Sequence, residues 1–131
     1  MPKMVVLNWY GKNSKWVRGL KKLLRKAKSE GGCTSFVTLR LGPKWANKLN
    51  PGQKVVISIS DDPAKPEVIG TAEVGTVRKD FLGGVSKKEW EQNIGANNRW
   101  DAQRDMEKVY GVKINPMHDF VSVIELFAST D

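Results

Sequence analysis

Seven basic residues between positions 15 and 28 are the part of this sequence whose residue types and spacing most clearly favour a chemical role. They are Lys15, Arg18, Lys21, Lys22, Arg25, Lys26 and Lys28, and no acidic residue interrupts them. Residues 1–32 hold nine Lys or Arg and one acid, a local charge equal to the +8 of the whole chain. Charge focused in this way favours a polyanionic partner such as a nucleic acid.

Thr38 and Arg40 form a second candidate site, because they lie two positions apart in a segment rich in β-branched and aromatic residues. Side chains at positions i and i+2 of a strand point to the same face. Arg40 would offer a bidentate contact to a phosphate or a base edge, and Lys44 and Trp45 would add a charge and a stacking surface. A strand with an ordinary exposed polar face, and a core position for Trp45, remain open alternatives.

The elements that must position these residues follow the order β-α-β-β-β-α-α-β. Strands are predicted over residues 4–10, 35–41, 53–60, 68–78 and 120–127. Helices are predicted over residues 15–28, 86–93 and 98–110, with a short helical turn at 44–49. Gly70 and Gly75 predict a bend or bulge in the fourth strand. Few short strands with helices between them predict an α+β fold, a small, curved mixed sheet or barrel forming one domain over residues 1–131.

The helix over residues 15–28 is predicted to be strongly amphipathic. Its apolar residues fall within one arc, and every base falls on the other side; the apolar set is Trp16, Val17, Leu20, Leu23, Leu24 and Ala27. Ser14 suits the N-cap, and Gly31 and Gly32 suit the C-terminal stop. Farther along the chain, Ser86 and Glu89 form a capping box, and the helix that ends before Gly111 is expected to turn Trp100, Met106, Val109 and Tyr110 inward.

Two runs in the middle of the sequence, PGQKVVISIS at residues 51–60 and VIGTAEVGTV at residues 68–77, are separated by a polar loop. They resemble the paired barrel strands of the ASCH domain family, which belongs to the PUA-like superfamily. The preceding helix, the strand that ends in Arg40 and the final FVSVIELF strand occur in the family's order. The resemblance covers roughly residues 15–127.

This resemblance implies a pseudo-β-barrel that binds RNA or a nucleotide in a cleft between the barrel and the helices. Some members of the family hydrolyse acetylated cytidine with a Lys, a Thr and a later Glu. Thr38 matches the Thr, whereas Ser35 stands where the family has Lys, and only Glu89 and Glu91 lie near the third position. Thr38 is therefore the one candidate catalytic residue.

Several other classes of protein and site are not supported by the sequence. Cys33 and His118 are each alone, so a Cys/His zinc site within the chain is excluded, and Asp61 and Asp62 are interpreted as turn formers rather than metal ligands. No cofactor or metal is therefore predicted. No apolar run is long enough to cross a membrane, and a cytoplasmic protein is expected.

The function predicted from these observations is nucleic-acid binding, with RNA favoured over DNA. The basic helix would hold the backbone, and the cleft beside Arg40 would accept a nucleotide. The alternative is a hydrolase acting on a modified nucleoside or on RNA, with Thr38 in its site. A third possibility is an adaptor whose basic helix meets an acidic protein partner.

Overall fold

The computed structural model describes residues 5–30, 34–62 and 64–128 of the chain. Its five strands are β1 (Val5–Tyr10), β2 (Thr34–Leu41), β3 (Lys54–Ser60), β4 (Glu67–Phe81) and β5 (Phe120–Ala128). Its helices are α1 (Lys15–Glu30), α2 (Lys44–Lys48), α3 (Lys87–Gln92) and α4 (Arg99–Tyr110), with a 3-10 turn at Leu82–Gly84. The predicted element order is confirmed, and β4 continues beyond its predicted end at residue 78.

The strands form one mixed sheet in the order β1-β3-β4-β5-β2. Strands β1 and β3 run parallel, and the other neighbouring pairs run antiparallel. The α+β class is thus confirmed, but no backbone ladder joins the edge strands β1 and β2 within the described residues, so the predicted barrel closure is not seen there. A side chain spans the opening instead, because Nη1 of Arg40 on β2 donates to the carbonyl oxygen of Asn8 on β1 at 2.7 Å.

The glycines of β4 lie where its pairing changes register, as the sequence predicts. The β4–β5 register shifts between Val74 and Val77, across Gly75, and the β3–β4 register shifts opposite Gly70. A Cβ atom on Gly75 would lie 2.5 Å from a carboxylate oxygen of Glu125. A side chain at position 75 would therefore have to displace the Glu125 carboxylate and the Phe127 ring, and glycine leaves room for both at the bulge.

Helix α1 covers one face of the sheet with the apolar arc predicted for it. Val17, Leu20 and Ala27 are fully buried in the main core, where they join strand residues such as Leu7 and Ile57. The hydroxyl of Ser14 accepts a hydrogen bond from the Val17 amide at 3.3 Å, which confirms the predicted N-cap. The predicted stop at Gly31 and Gly32, like Cys33, lies outside the described residues.

A second core cluster anchors the C-terminal helices, and it includes Met106 of α4 with Leu82 and Val121. The capping box is confirmed, since Ser86 and Glu89 exchange backbone-to-side-chain hydrogen bonds, and Gly111 ends α4 with a φ of 69°. The inward position predicted for Trp100 is wrong, because this side chain is 67% exposed, and Val109 and Tyr110, also predicted inward, are 46% and 41% exposed. The Arg99 guanidinium stacks over the Trp100 ring, 4.6 Å from its centroid.

Candidate functional site

The outer surface of α1 presents all seven of its predicted basic residues to solvent. We call this surface the basic face, and it consists of Lys15, Arg18, Lys21, Lys22, Arg25, Lys26 and Lys28, all of them exposed. Among the side chains that the structure describes, only Lys15 of this set forms an ion pair, with Asp105 of α4 at 3.1 Å. Unrelieved like charges three or four positions apart cost a helix about 0.2–0.5 kcal/mol per pair. An external polyanion would remove that repulsion.

A cavity of about 130 Å³ lies where the start of α1, the edge strands β1 and β2, and helix α4 meet. We call it the Arg40 cavity. Its polar lining comes from Asn8, Tyr10, Thr38, Arg40, Asn93, Asp105 and Tyr110. An apolar cavity of about 150 Å³ can hold a benzene ring. The Arg40 cavity, which opens to solvent, therefore has roughly the room to enclose one ring of a base, while the rest of the base stays at its mouth.

Strand β1 brings both an aromatic wall and a polar group to the cavity. Because side chains alternate along a strand, Trp9 is buried toward the core, while Asn8 takes the other face. Nδ2 of Asn8 donates to the Ser60 hydroxyl at 3.0 Å, and Oδ1 of Asn8 accepts from the Ser58 hydroxyl at 2.7 Å. These two hydrogen bonds fix the Asn8 side chain. The backbone carbonyl oxygen of Asn8 is the atom that accepts the hydrogen bond from Arg40.

Strand β2 places Thr38 and Arg40 in the same cavity, as their spacing predicts. Thr38 is 4% exposed. The Arg40 guanidinium stacks over the Trp9 ring, with its central carbon 4.5 Å from the ring centroid. This cation–π contact holds the guanidinium plane in one orientation within the cavity wall.

The Arg40 guanidinium is only partly hydrogen-bonded. Nη1 donates to Asn8, whereas Nε and Nη2 are shielded from solvent and have no hydrogen-bond partner among the described residues. Burial lowers the pKa of Arg40, and the charges of Tyr110 and Tyr10, together with a long hydrogen bond to the Tyr110 hydroxyl, partly offset that effect. An arginine remains protonated despite such a shift. The cavity therefore contains a fixed positive charge with two donors that have no partner of good geometry among the described residues and lie beside the Tyr110 hydroxyl.

Helices α1 and α4 complete the walls. Trp16 lines the cavity, and its indole Nε1 donates to the Tyr10 carbonyl at 2.6 Å. Gly95 approaches it closely with a φ of 95°, and a Cβ there would lie 3.3 Å from Trp16 Cβ. Helix α4 contributes Asp105, whose partner Lys15 belongs to the basic face. The basic face and the cavity thus meet at the first turn of α1.

Lys44 and Trp45 do not line the Arg40 cavity. They belong to α2, which packs beside β4 and β5. Trp45 is half-buried against the main core, with the Lys48 ammonium 5.1 Å from its ring centroid, and Lys44 is exposed. The structure therefore brings Thr38 and Arg40 together but leaves this pair of predicted residues elsewhere.

The acids considered for the third role in the hydrolase pattern also lie outside the cavity lining. Glu89 accepts hydrogen bonds from both terminal nitrogens of Arg78, and Nε of Arg78 donates to Asp80 at 3.1 Å. The Arg78 hydrogen bonds lower the pKa of Glu89 to about 2 and raise the pKa of Arg78. Glu91 is exposed, and Ser35 lies beside Gln92, at 3.5 Å from its amide nitrogen. The carboxylate in the cavity lining is that of Asp105.

Sequence reasoning missed Asn8, Trp9, Trp16, Asp105 and Tyr110 as cavity residues. Asp105 carried a usable signal, because it lies at helical spacing from Ala102, Met106 and Val109, which face the same cavity. An acid on the inward side of a helix indicates a polar partner or a site. The contribution of β1 carried no such signal, since it depends on the approach of two edge strands.

The fold was compared with those of solved structures. The chain is similar to the crystal structure of an ASCH domain from Lactobacillus crispatus JV V101, with a TM-score of 0.52. It has the fold of an ASCH domain. The match covers 94% of this chain and 78% of the other at 15% sequence identity. No family model and no curated protein matches the sequence.

Two further features of the described residues bear on function. No helix over residues 5–30, 34–62 and 64–128 is both long enough and apolar enough to cross a membrane. Within the same ranges, no three His, Cys, Asp or Glu side chains cluster in a way that could hold a metal ion.

Proposed function

We propose that this protein binds single-stranded RNA, with the phosphate backbone on the basic face and one nucleotide in the Arg40 cavity. The fold supports this, because the ASCH resemblance implies binding of RNA or a nucleotide. The charge distribution supports it independently, since seven exposed bases line one helix surface. Contacts of this kind bind phosphate without regard to sequence.

The observation that carries the proposal is the junction between the two surfaces. Lys15 of the basic face pairs with Asp105 of the cavity wall, and the next residue, Trp16, lines the cavity. A strand whose phosphates follow the basic face therefore reaches the cavity mouth at the first turn of α1. Bases of a single strand are free to leave the stack and enter such a cavity, whereas paired bases are not.

The test is fluorescence anisotropy with a labelled single-stranded RNA at fixed salt. Reversing two charges of the basic face, Lys22→Glu with Arg25→Glu, should weaken binding about tenfold to a hundredfold, because two phosphate contacts become repulsions. The matched control is Lys87→Glu with Lys88→Glu, which makes the same charge change at two exposed positions of α3. Equal losses from both double variants would contradict a role for the basic face.

A hydrolase is the second candidate function, and the observation that favours it is the buried Thr38 hydroxyl in a cavity that also contains the Asp105 carboxylate. Under this alternative, Thr38→Ala abolishes hydrolysis of an acetylated nucleoside, as followed by chromatography. The Lys22→Glu, Arg25→Glu protein retains that turnover, because a small neutral substrate does not need the basic face. Absence of turnover in the unaltered protein rejects this candidate for that substrate.

A further inference from the structure

The two unpaired nitrogens of Arg40 lie on the same edge of its guanidinium. Nε–H and one N–H of Nη2 point in parallel and form a two-donor fork, while Nη1 is already engaged by Asn8. Leaving buried donors unpaired costs about 1–3 kcal/mol each. A ligand that presents two adjacent acceptors in one plane would satisfy both donors at once.

The cavity lining favours a base over a phosphate as the source of these acceptors. Asp105 contributes a carboxylate to the lining, and this weakens the attraction of the Arg40 guanidinium for a phosphate. Trp9 and Trp16 contribute aromatic walls, which suit a flat ring. The phosphates already have a separate site of the right charge on the basic face.

The four RNA bases differ in the pattern that such a fork reads. Guanine offers O6 and N7 as neighbouring acceptors, and cytosine offers O2 and N3. Adenine alternates acceptors with its amino donor, and uracil separates its two carbonyls by N3–H. Guanine and cytosine also carry an amino group that the Asp105 carboxylate can accept from, since a carboxylate paired with one lysine retains free lone pairs.

We propose that the Arg40 fork makes the cavity select guanine or cytosine over adenine or uracil at one position of a bound RNA strand. This inference rests on the proposed RNA binding. Tyr110, whose hydroxyl lies near the guanidinium, is 41% exposed at the end of α4 and is the side chain that rotates away to admit the base.

The test uses four labelled oligouridines that differ only in the central base. The guanine and cytosine forms should bind about fivefold to a hundredfold more tightly than the adenine and uracil forms, which is the range of one bidentate base contact. Equal dissociation constants for all four, or a preference for adenine or uracil, overturns the inference while leaving RNA binding intact. Failure of all four to bind overturns the proposed function and this inference with it.

A pair of conservative variants identifies the residue responsible. Arg40→Lys keeps the charge but removes the fork, so the base preference should vanish. Arg78→Lys makes the same substitution outside the cavity lining and should leave the preference unchanged. A base preference that survives Arg40→Lys overturns the assignment to Arg40. If that variant fails to fold, the four oligouridines measured with the unaltered protein still test the selectivity.

Discussion

Two arginines on the strands that flank β5 show how differently the same side chain can be surrounded. Arg78 on β4 donates to Glu89, Asp80 and the Gly84 carbonyl, so all of its nitrogens have partners. Arg40 on β2 is more shielded, yet it has one hydrogen bond and two buried nitrogens without a partner among the described residues.

The difference separates a structural role from a binding role. The Arg78 ion pair joins β4 to the first turn of α3, where Glu89 also completes the capping box. Such an arginine stabilises the local fold and has little left to offer a ligand. Arg40 keeps two donors unpaired in a cavity, and proteins retain such a cost where it serves a site.

The largest expected effect is on binding at Arg40. Arg40→Met should reduce the affinity for the guanine-centred oligouridine about tenfold or more, down to that of the uracil form, because the bidentate contact is lost. The unfolding free energy should change by less than about 1 kcal/mol, because the lost hydrogen bond is offset by relief of the unpaired donors. Anisotropy measures the affinity, and urea unfolding measures the stability. A large loss of stability with unchanged affinity would show that Arg40 has a structural role rather than a binding role.

The next effect is on stability at Arg78. Arg78→Met should lower the unfolding free energy by about 1–2 kcal/mol, the range for charge-assisted hydrogen bonds at a half-exposed pair. RNA affinity should stay within twofold of the unaltered protein. Urea unfolding checks the first expectation, and a stability loss equal to that of Arg40→Met would erase the contrast between the two arginines.

The smallest effect is the pH dependence of the Arg78–Glu89 pair. Folding lowers the pKa of Glu89 from its usual value of 4.5 to about 2. Ionised Glu89 therefore contributes to the free energy of unfolding above its usual pKa, and this contribution is lost as pH falls from about 4.5 toward 2. The measurement compares the free energy of unfolding of the unaltered protein with that of Glu89→Gln. The difference should be about 1 kcal/mol at neutral pH, after allowance for solvent screening, and should shrink as pH falls through this window. A difference that grows on acidification would contradict the sign.

Local patterns in the sequence were enough to predict much of the scaffold. The amphipathic helix, its Ser14 cap, the capping box at Ser86 and the placement of Thr38 and Arg40 on one strand face all depend on nearby residues. Such features follow from the fixed periods of helices and strands.

The composition of the cavity could not be predicted in the same way. Asn8 and Tyr110 are 102 positions apart, and they share a cavity only because β1 and α4 converge on Arg40. The exposure of Trp100 also depends on tertiary packing, since the helical pattern alone does not show that this side chain stays 67% exposed with Arg99 stacked on its ring. The open edge between β1 and β2 likewise depends on long-range pairing.

The most direct test of RNA binding through the basic face is the salt dependence of affinity for a single-stranded RNA. Contact with about five phosphates predicts a slope near −3.5 in a plot of log affinity against log salt concentration, and Lys22→Glu with Arg25→Glu should make that slope shallower by about 1.4 or more. A slope close to zero, or a slope unchanged in the double variant, would contradict the account.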